Sequence, residues 1–143
     1  MVRKIVCALD GSPRAPQVFD AAAELALGFG AELRLLRVIT IPPEFPAAGA
    51  GSETDTLPAY LTAVAAEQLS ELSKRARAIA ATAPIVAVGQ PWRVILETAR
   101  AEDVGLIVLG SHGYHGWDRV LGTTAAKVAN LADRNVLVVH ARN

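Results

Sequence analysis

Hydrophobic positions along this chain alternate between short continuous runs and longer stretches at helical spacing. Ile5-Val6-Cys7-Ala8-Leu9 is unbroken, as expected of a strand covered on both faces. Asp10-Gly11-Ser12-Pro13 interrupts it, and Ser12 as a cap with Pro13 in the first turn predicts a helix start. Ala15, Val18, Phe19, Ala22, Leu25, Ala26 and Phe29 then recur at helical spacing, with Gly28 and Gly30 as the stop. Leu33 to Ile39 predicts a second strand, less completely buried than the first because it carries Arg34 and Arg37. No period runs through Thr40 to Thr56, where Pro42, Pro43, Pro46, Gly49 and Gly51 cluster. A loop of this kind is expected to be mobile and to order over a ligand. A long helix follows from Leu57-Pro58, its apolar stripe passing through Leu57, Tyr60, Leu61, Val64, Ala65, Leu69, Leu72, Ala76 and Ile79. Pro84 ends it and opens a third strand, Ile85 to Val88, a placement that proline tolerates best near a sheet edge. Gly89-Gln90-Pro91 leads into a helix that turns Val94, Ile95, Thr98 and Ala99 inward, and Leu106 to Leu109 is the fourth strand. After a glycine-rich segment, a last helix sets Ala125, Val128, Ala129 and Ala132 on one face. Asp133-Arg134-Asn135 then turns the chain into a last strand, Val136 to Val139.

Strand and helix therefore alternate throughout, which predicts an α/β fold: a mainly parallel sheet with helices on both faces. Right-handed crossovers narrow the topology without setting the strand order. The 143 residues fit one domain, 1–143, and a chain of this length buries about 68–70% of its unfolded surface. With 52% hydrophobic residues the core is ample, and global disorder is excluded. Fourteen basic and fourteen acidic residues cancel, so no whole-chain charge draws nucleic acid or acidic lipid. The single cysteine, Cys7, reads as a small core residue and fits a reducing compartment. Met1-Val2-Arg3-Lys4 runs straight into a short strand with no cleavage pattern, and no window nears the ~20 apolar residues of a membrane span. A cytoplasmic protein with no membrane partner is expected.

Chemistry on such a sheet is expected beyond the carboxyl ends of the strands, where the winding reverses. Two loops lie at strand ends: Asp10-Gly11-Ser12, and Gly110-Ser111-His112-Gly113 continuing through Tyr114 to Leu121 and closing on Gly122-Thr123-Thr124. The second suits a phosphate. Glycines allow close backbone approach, and free N–H groups at a helix start face an anion with the helix dipole behind them. Thr123 and Thr124 add hydroxyls. The same residues also satisfy a plain tight turn and helix cap, and Asp10 also satisfies a simple Asx turn. No G-x-x-x-x-G-K-[ST] occurs, which excludes a P-loop. Gly110, Gly113 and Gly116 follow strand four, not strand one, and do not carry a dinucleotide fingerprint. His112 and His115 reproduce the paired histidines of adenylyl-transferring enzymes only superficially, since those follow strand one. Three scattered histidines and one cysteine form no metal site by spacing. No catalytic residue is identified. Lys127, one turn into the last helix, is within reach of a phosphate or else part of a solvated face.

Taken together, Ile5-Val6-Cys7-Ala8-Leu9-Asp10-Gly11-Ser12, Gly89-Gln90-Pro91, and Leu106 through Gly113 and Gly122-Thr123 to Val139 resemble the universal stress protein family over essentially the whole chain. The resemblance implies a five-stranded open parallel sheet in the order 3-2-1-4-5, Rossmann-like and of the adenine nucleotide alpha hydrolase type. It also implies ATP as the ligand, with Mg²⁺ or Mn²⁺ able to arrive on its phosphates. Carried over residue by residue, it places Asp10 and the Ala8 backbone by the adenine and Val38 against the base. Leu109, Gly110 and Gly113 line the ribose and phosphates, and Gly122, Thr123 and Thr124 hold the phosphate tail. It further implies a homodimer made through the last strand. The family's ATP signature is G-x2-G-x9-G-[ST], whereas eight residues separate Gly113 from Gly122 here, with the bulky Trp117 among them. The expected function is that of an ATP-binding, dimeric stress-response or signalling protein with at most slow hydrolysis. The alternatives are a fold-mate that works only through protein partners and, behind it, an enzyme of adenylyl or phosphoryl transfer.

Overall fold

The computed structural model describes residues 1–41, 56–76, 83–111 and 121–142. Within them the elements are β1 (Lys4–Ala8), α1 (Ala15–Phe29), β2 (Glu32–Ile39), α2 (Thr56–Arg75), β3 (Ile85–Val88), α3 (Pro91–Ala101), β4 (Leu106–Gly110), α4 (Thr123–Leu131) and β5 (Asn135–Val139). The strands form one sheet in the order β3-β2-β1-β4-β5, and every neighbouring pair is parallel. The winding reverses between β1 and β4, whose register sets Ala8 opposite Leu109.

Alternation along the strands divides the core in two. Ile5, Cys7, Leu33, Leu35 and Val108 face α1 and α2, meeting Val18, Phe19, Ala22, Ala26 and Leu69. Val6, Leu36, Ile107 and Leu109 face α3 and α4, meeting Ile95, Leu96, Ala99, Ala125 and Val128. Covering both faces explains why the central strands read as continuous apolar runs. The edge strands differ, since neither β3 nor β5 holds a fully buried residue. Pro84 stands just before β3, at one edge of the sheet, where its missing N–H breaks no ladder bond.

Several local expectations shift. Helix α1 begins at Ala15, with Arg14 as N-cap and Pro16 in the first turn, and Ser12 and Pro13 belong to the preceding turn. Gly30 does stop the helix, in the left-handed conformation at φ 63°, whereas Gly28 lies inside it. Phe29 and Tyr60 are exposed although they continue their apolar stripes; each sits near a helix end, where side chains run past the packed face. Ala129 is exposed too, about 100° around α4 from the buried Val128. Helix α2 ends at Arg75, and Ile79 lies outside the described residues, as does the proline- and glycine-rich stretch 42–55.

At the end of the sheet away from the β1 and β4 carboxyl ends, Arg34 on β2 and Lys4 on β1 converge on Glu102, at 3.0 and 3.6 Å. The Arg34 hydrogen bond, with the Lys4 charge behind it, holds the Glu102 carboxyl below its ordinary range. Arg134 donates to the carbonyls of Ala99 (2.8 Å) and Val104 (3.0 Å), so a side chain before β5 ties the end of α3 to the turn that leads into β4.

Candidate functional site

Beyond β1 the chain is folded back by its own side chains. Leu9 N–H donates to Leu36 O (2.8 Å), continuing the β1–β2 ladder one residue past the strand. Ser12 N–H then donates to Asp10 Oδ1 (2.9 Å), an Asx turn, while Arg14 N–H donates to Ser12 Oγ (3.3 Å) and Ala15 N–H to Ser12 O (3.1 Å). Ser12 is buried and launches α1 from the turn.

Beyond β4, Ser111 N–H donates to Val139 O (2.9 Å), and Ser111 O accepts from Gly122 N–H (2.7 Å). That second bond returns the chain from the far end of the glycine-rich segment to the end of β4. Gly122 has no side chain with which to cap α4, and the helix's own bonding begins with Ala126 N–H to Gly122 O (2.9 Å). The amides of the first turn therefore find no partner within the helix.

Beyond β2 and β3, Gly89 N–H donates to Ile39 O (3.0 Å) and the chain turns into α3 with Pro91 in its first turn. A Cβ on Gly89 would stand 2.9 Å from Val94 Cγ2, so only glycine fits beside this helix.

A cleft of about 220 Å³ opens beyond these strand ends, below the roughly 300–1,000 Å³ usual for small-ligand sites. Ala8, Asp10, Val38, Leu109, Gly110, Gly122, Thr123 and Thr124 all line it, so the structure brings together these residues named from sequence. Gly113 lies outside the described residues, as do His112 and residues 114–120. Ser12 and Ser111, named from sequence only as members of the two strand-end loops, line it too, as do Arg14, Pro91 and Ile95, which sequence reasoning passed over as site residues. Pro91 was findable as a helix start following a strand end, the same signal that marked Thr123. Val38, Pro91 and Ile95 make an apolar end from β2 and α3, and Gly110, Ser111, Gly122, Thr123 and Thr124 make a polar end from β4 and α4. Among the described lining residues, Asp10 is the acid and Arg14 the base.

Other candidates fall away from the cleft. Lys127 holds its Nζ 5.0 Å from the Trp92 ring centroid, and Arg93 Cζ lies 5.4 Å from the same ring; the lysine is committed to a cation–π contact. Cys7 is fully buried, and burial pushes its thiol far up, so it has no thiolate to attack with. Among the described residues no group of three or more His, Cys, Asp or Glu is placed to hold a metal ion, and no helix is long and apolar enough to cross a membrane.

Known proteins share this architecture. The family model described as the universal stress protein family matches residues 1–140. Universal stress protein A homolog 1 of Coxiella burnetii is 30% identical over 142 residues, covering 96% of this chain and 95% of its own length. The solved structure of hypothetical protein MJ0577 superposes with a TM-score of 0.82 at 27% identity, covering 100% of this chain and 99% of that one. A universal stress protein solved in complex with cAMP superposes with a TM-score of 0.67 at 25% identity, covering 97% of each chain. A match along nearly the full sequence, joined to a shared fold, makes the assignment plain: the chain belongs to the universal stress protein family.

Proposed function

We propose that this protein is a dimeric stress-response protein of one domain, 1–143, that holds an adenine nucleotide, ATP, as a signal or effector in the cleft at the β1–β4 reversal. The observation that carries the reading is the 2.7 Å bond from Gly122 N–H to Ser111 O. It sets the start of α4 over the end of β4, beside the Asp10 turn. An anion at the polar end would meet the first amides of α4 and the hydroxyls of Thr123 and Thr124, with the helix dipole behind them. Gly110 and Gly122, and Gly113 with them, would let the backbone come close to ribose and phosphates. Val38, Pro91 and Ile95 offer the flat apolar surface a base needs, and Asp10 and the Ala8 backbone supply polar edges. The cAMP complex of a relative supports an adenine ligand. Mg²⁺ or Mn²⁺, when present, would ride on the phosphates.

Turnover is not part of this reading: Cys7 is buried and protonated, and slow hydrolysis is the most the lining residues support. The dimer forms through β5, an edge strand on which Leu137 remains exposed and which a second copy would cover. A cytoplasmic location accompanies a nucleotide ligand and a free cysteine.

Calorimetric titration of ATP, AMP and cAMP into protein refolded free of ligand tests the reading, together with analysis of nucleotide released on denaturation. Saturable binding of an adenine nucleotide is expected. No binding and no released nucleotide would leave a fold-mate that acts through protein partners alone. A monomer in sedimentation at micromolar concentration would overturn the dimer.

A further inference from the structure

Gln17, exposed on the first turn of α1, bonds across 125 positions of sequence to the chain that follows β5. Its Nε2 donates to Arg142 O and its Oε1 accepts from Arg142 N–H, both at 2.8 Å. A side-chain amide thus pairs both polar groups of one backbone residue, as a neighbouring strand would. The strap 140–142 is tied at its other end as well, where Val139 O accepts from Ser111 N–H at 2.9 Å. Ser111 O in turn accepts from Gly122 N–H at 2.7 Å, at the start of α4. These bonds join α1, the strap, the end of β4 and the start of α4 in series. Ala15 and Val18 of α1 line the cleft, and so do Ser111 and Gly122. Val38, Pro91 and Ile95, at the apolar end, stand outside the series.

We infer that Gln17 is a positioning residue for the cleft: it fastens the strap 140–142 and so holds the starts of α1 and α4 at the spacing in which the cleft takes a phosphate chain. The inference rests on the adenine-nucleotide reading and adds to it a residue that acts from outside the cleft. Apolar packing of α1 on the sheet is non-directional and lets the helix shift by small amounts. A hydrogen bond sets a distance and an angle, and two on one residue set an orientation. Phosphate held by N–H and hydroxyl donors depends on that precision, whereas a base against an apolar surface depends on it far less. The coupling is reciprocal: a ligand that needs the spacing also holds the strap down.

The test is titration of adenosine, ATP and inorganic tripolyphosphate into wild type, Gln17→Leu and Gln17→Glu, with hydrogen exchange of residues 140–142 measured with and without ATP. Thermal unfolding of each variant confirms the fold. Leucine offers neither bond, while glutamate keeps the acceptor for Arg142 N–H and loses the donor to Arg142 O. Gln17→Leu is expected to weaken ATP about fivefold and adenosine by less than about twofold, with Gln17→Glu between it and wild type. ATP should slow exchange at Arg142 N–H in wild type and leave it unchanged in Gln17→Leu. Equal ATP affinity in wild type and Gln17→Leu, an equal loss of ATP and adenosine, or wild-type exchange indifferent to ATP would overturn the inference while leaving the nucleotide reading standing. Wild type that ignores adenosine and binds ATP no better than tripolyphosphate, both in a Gln17-dependent way, would sustain Gln17 and discard the adenine. Wild type that binds none of the three discards both.

Discussion

Asp10 has two jobs open to it, and a pair of substitutions separates them. Its Oδ1 accepts from Ser12 N–H at 2.9 Å, and the residue is otherwise exposed at the rim of the cleft. Asp10→Ala removes that bond and frees a backbone donor at the start of the turn that launches α1. One hydrogen bond of this kind contributes about 1 kcal/mol. Unfolding entropy of about 2.1 cal/mol/K per residue gives a chain of this length about 0.3 kcal/mol/K, so the loss corresponds to about 3 °C in Tm. Asp10→Asn keeps an oxygen in the same place and tolerates the same turn, so its Tm should stay within about 1 °C of wild type. The two variants part company on ligand. If the carboxylate also accepts from a bound nucleotide, Asp10→Asn loses a charge-assisted bond and binds ATP about tenfold more weakly despite normal stability. Differential scanning calorimetry and titration calorimetry on both proteins measure the two effects. An unchanged Tm in Asp10→Ala would refute the turn argument, and an unchanged ATP affinity in Asp10→Asn would reduce Asp10 to a turn residue.

Three further outcomes follow from the packing. Gly89→Ala places a Cβ 2.9 Å from Val94 Cγ2, and a β-branched neighbour has little freedom to step aside. The cost is about 1–3 kcal/mol, read as a lower Tm and relieved only in part in the double variant with Val94→Ala, because the backbone stays at φ 158°; equal Tm values for Gly89→Ala and wild type would refute the contact. Glu102 is held below its ordinary value of 4.5 chiefly by the Arg34 hydrogen bond, so its stabilisation is full above that value and fades as pH falls through the lowered one. Wild type should therefore exceed Glu102→Gln by about 0.5–1 kcal/mol in urea unfolding at pH 7, with the gap closing in acid; a gap independent of pH would sink the ion-pair account. Cys7 is fully buried with its thiol pushed far up, so a thiol reagent should react with it only after unfolding, and rapid labelling of native protein would contradict that burial.

The element order, the parallel sheet and the pairing of two strand-end loops were legible along the chain, because period and punctuation are local properties. Ile5 to Leu9 reads as a doubly covered strand, and β1 is the central strand of the sheet. The 3-2-1-4-5 order itself came from family resemblance, since nothing local distinguishes a strand's neighbours. What the sequence alone misjudged lies where local chemistry is shared between uses. Ser12 looks like a helix cap, yet its hydroxyl serves Arg14 N–H and α1 starts at Ala15. Ala129, Tyr60 and Phe29 fit an apolar stripe, but the width of the buried face depends on what packs against it. Lys127 stands one turn from Thr123, and only the packing of α3 beside α4 shows that Trp92 claims it. The cleft follows the same division. Its glycines, threonines and aspartate announce themselves by spacing, whereas Arg14 comes from the start of α1 and Pro91 and Ile95 from α3, far apart along the chain. They meet only because parallel strands deliver every carboxyl end to the same edge of the sheet.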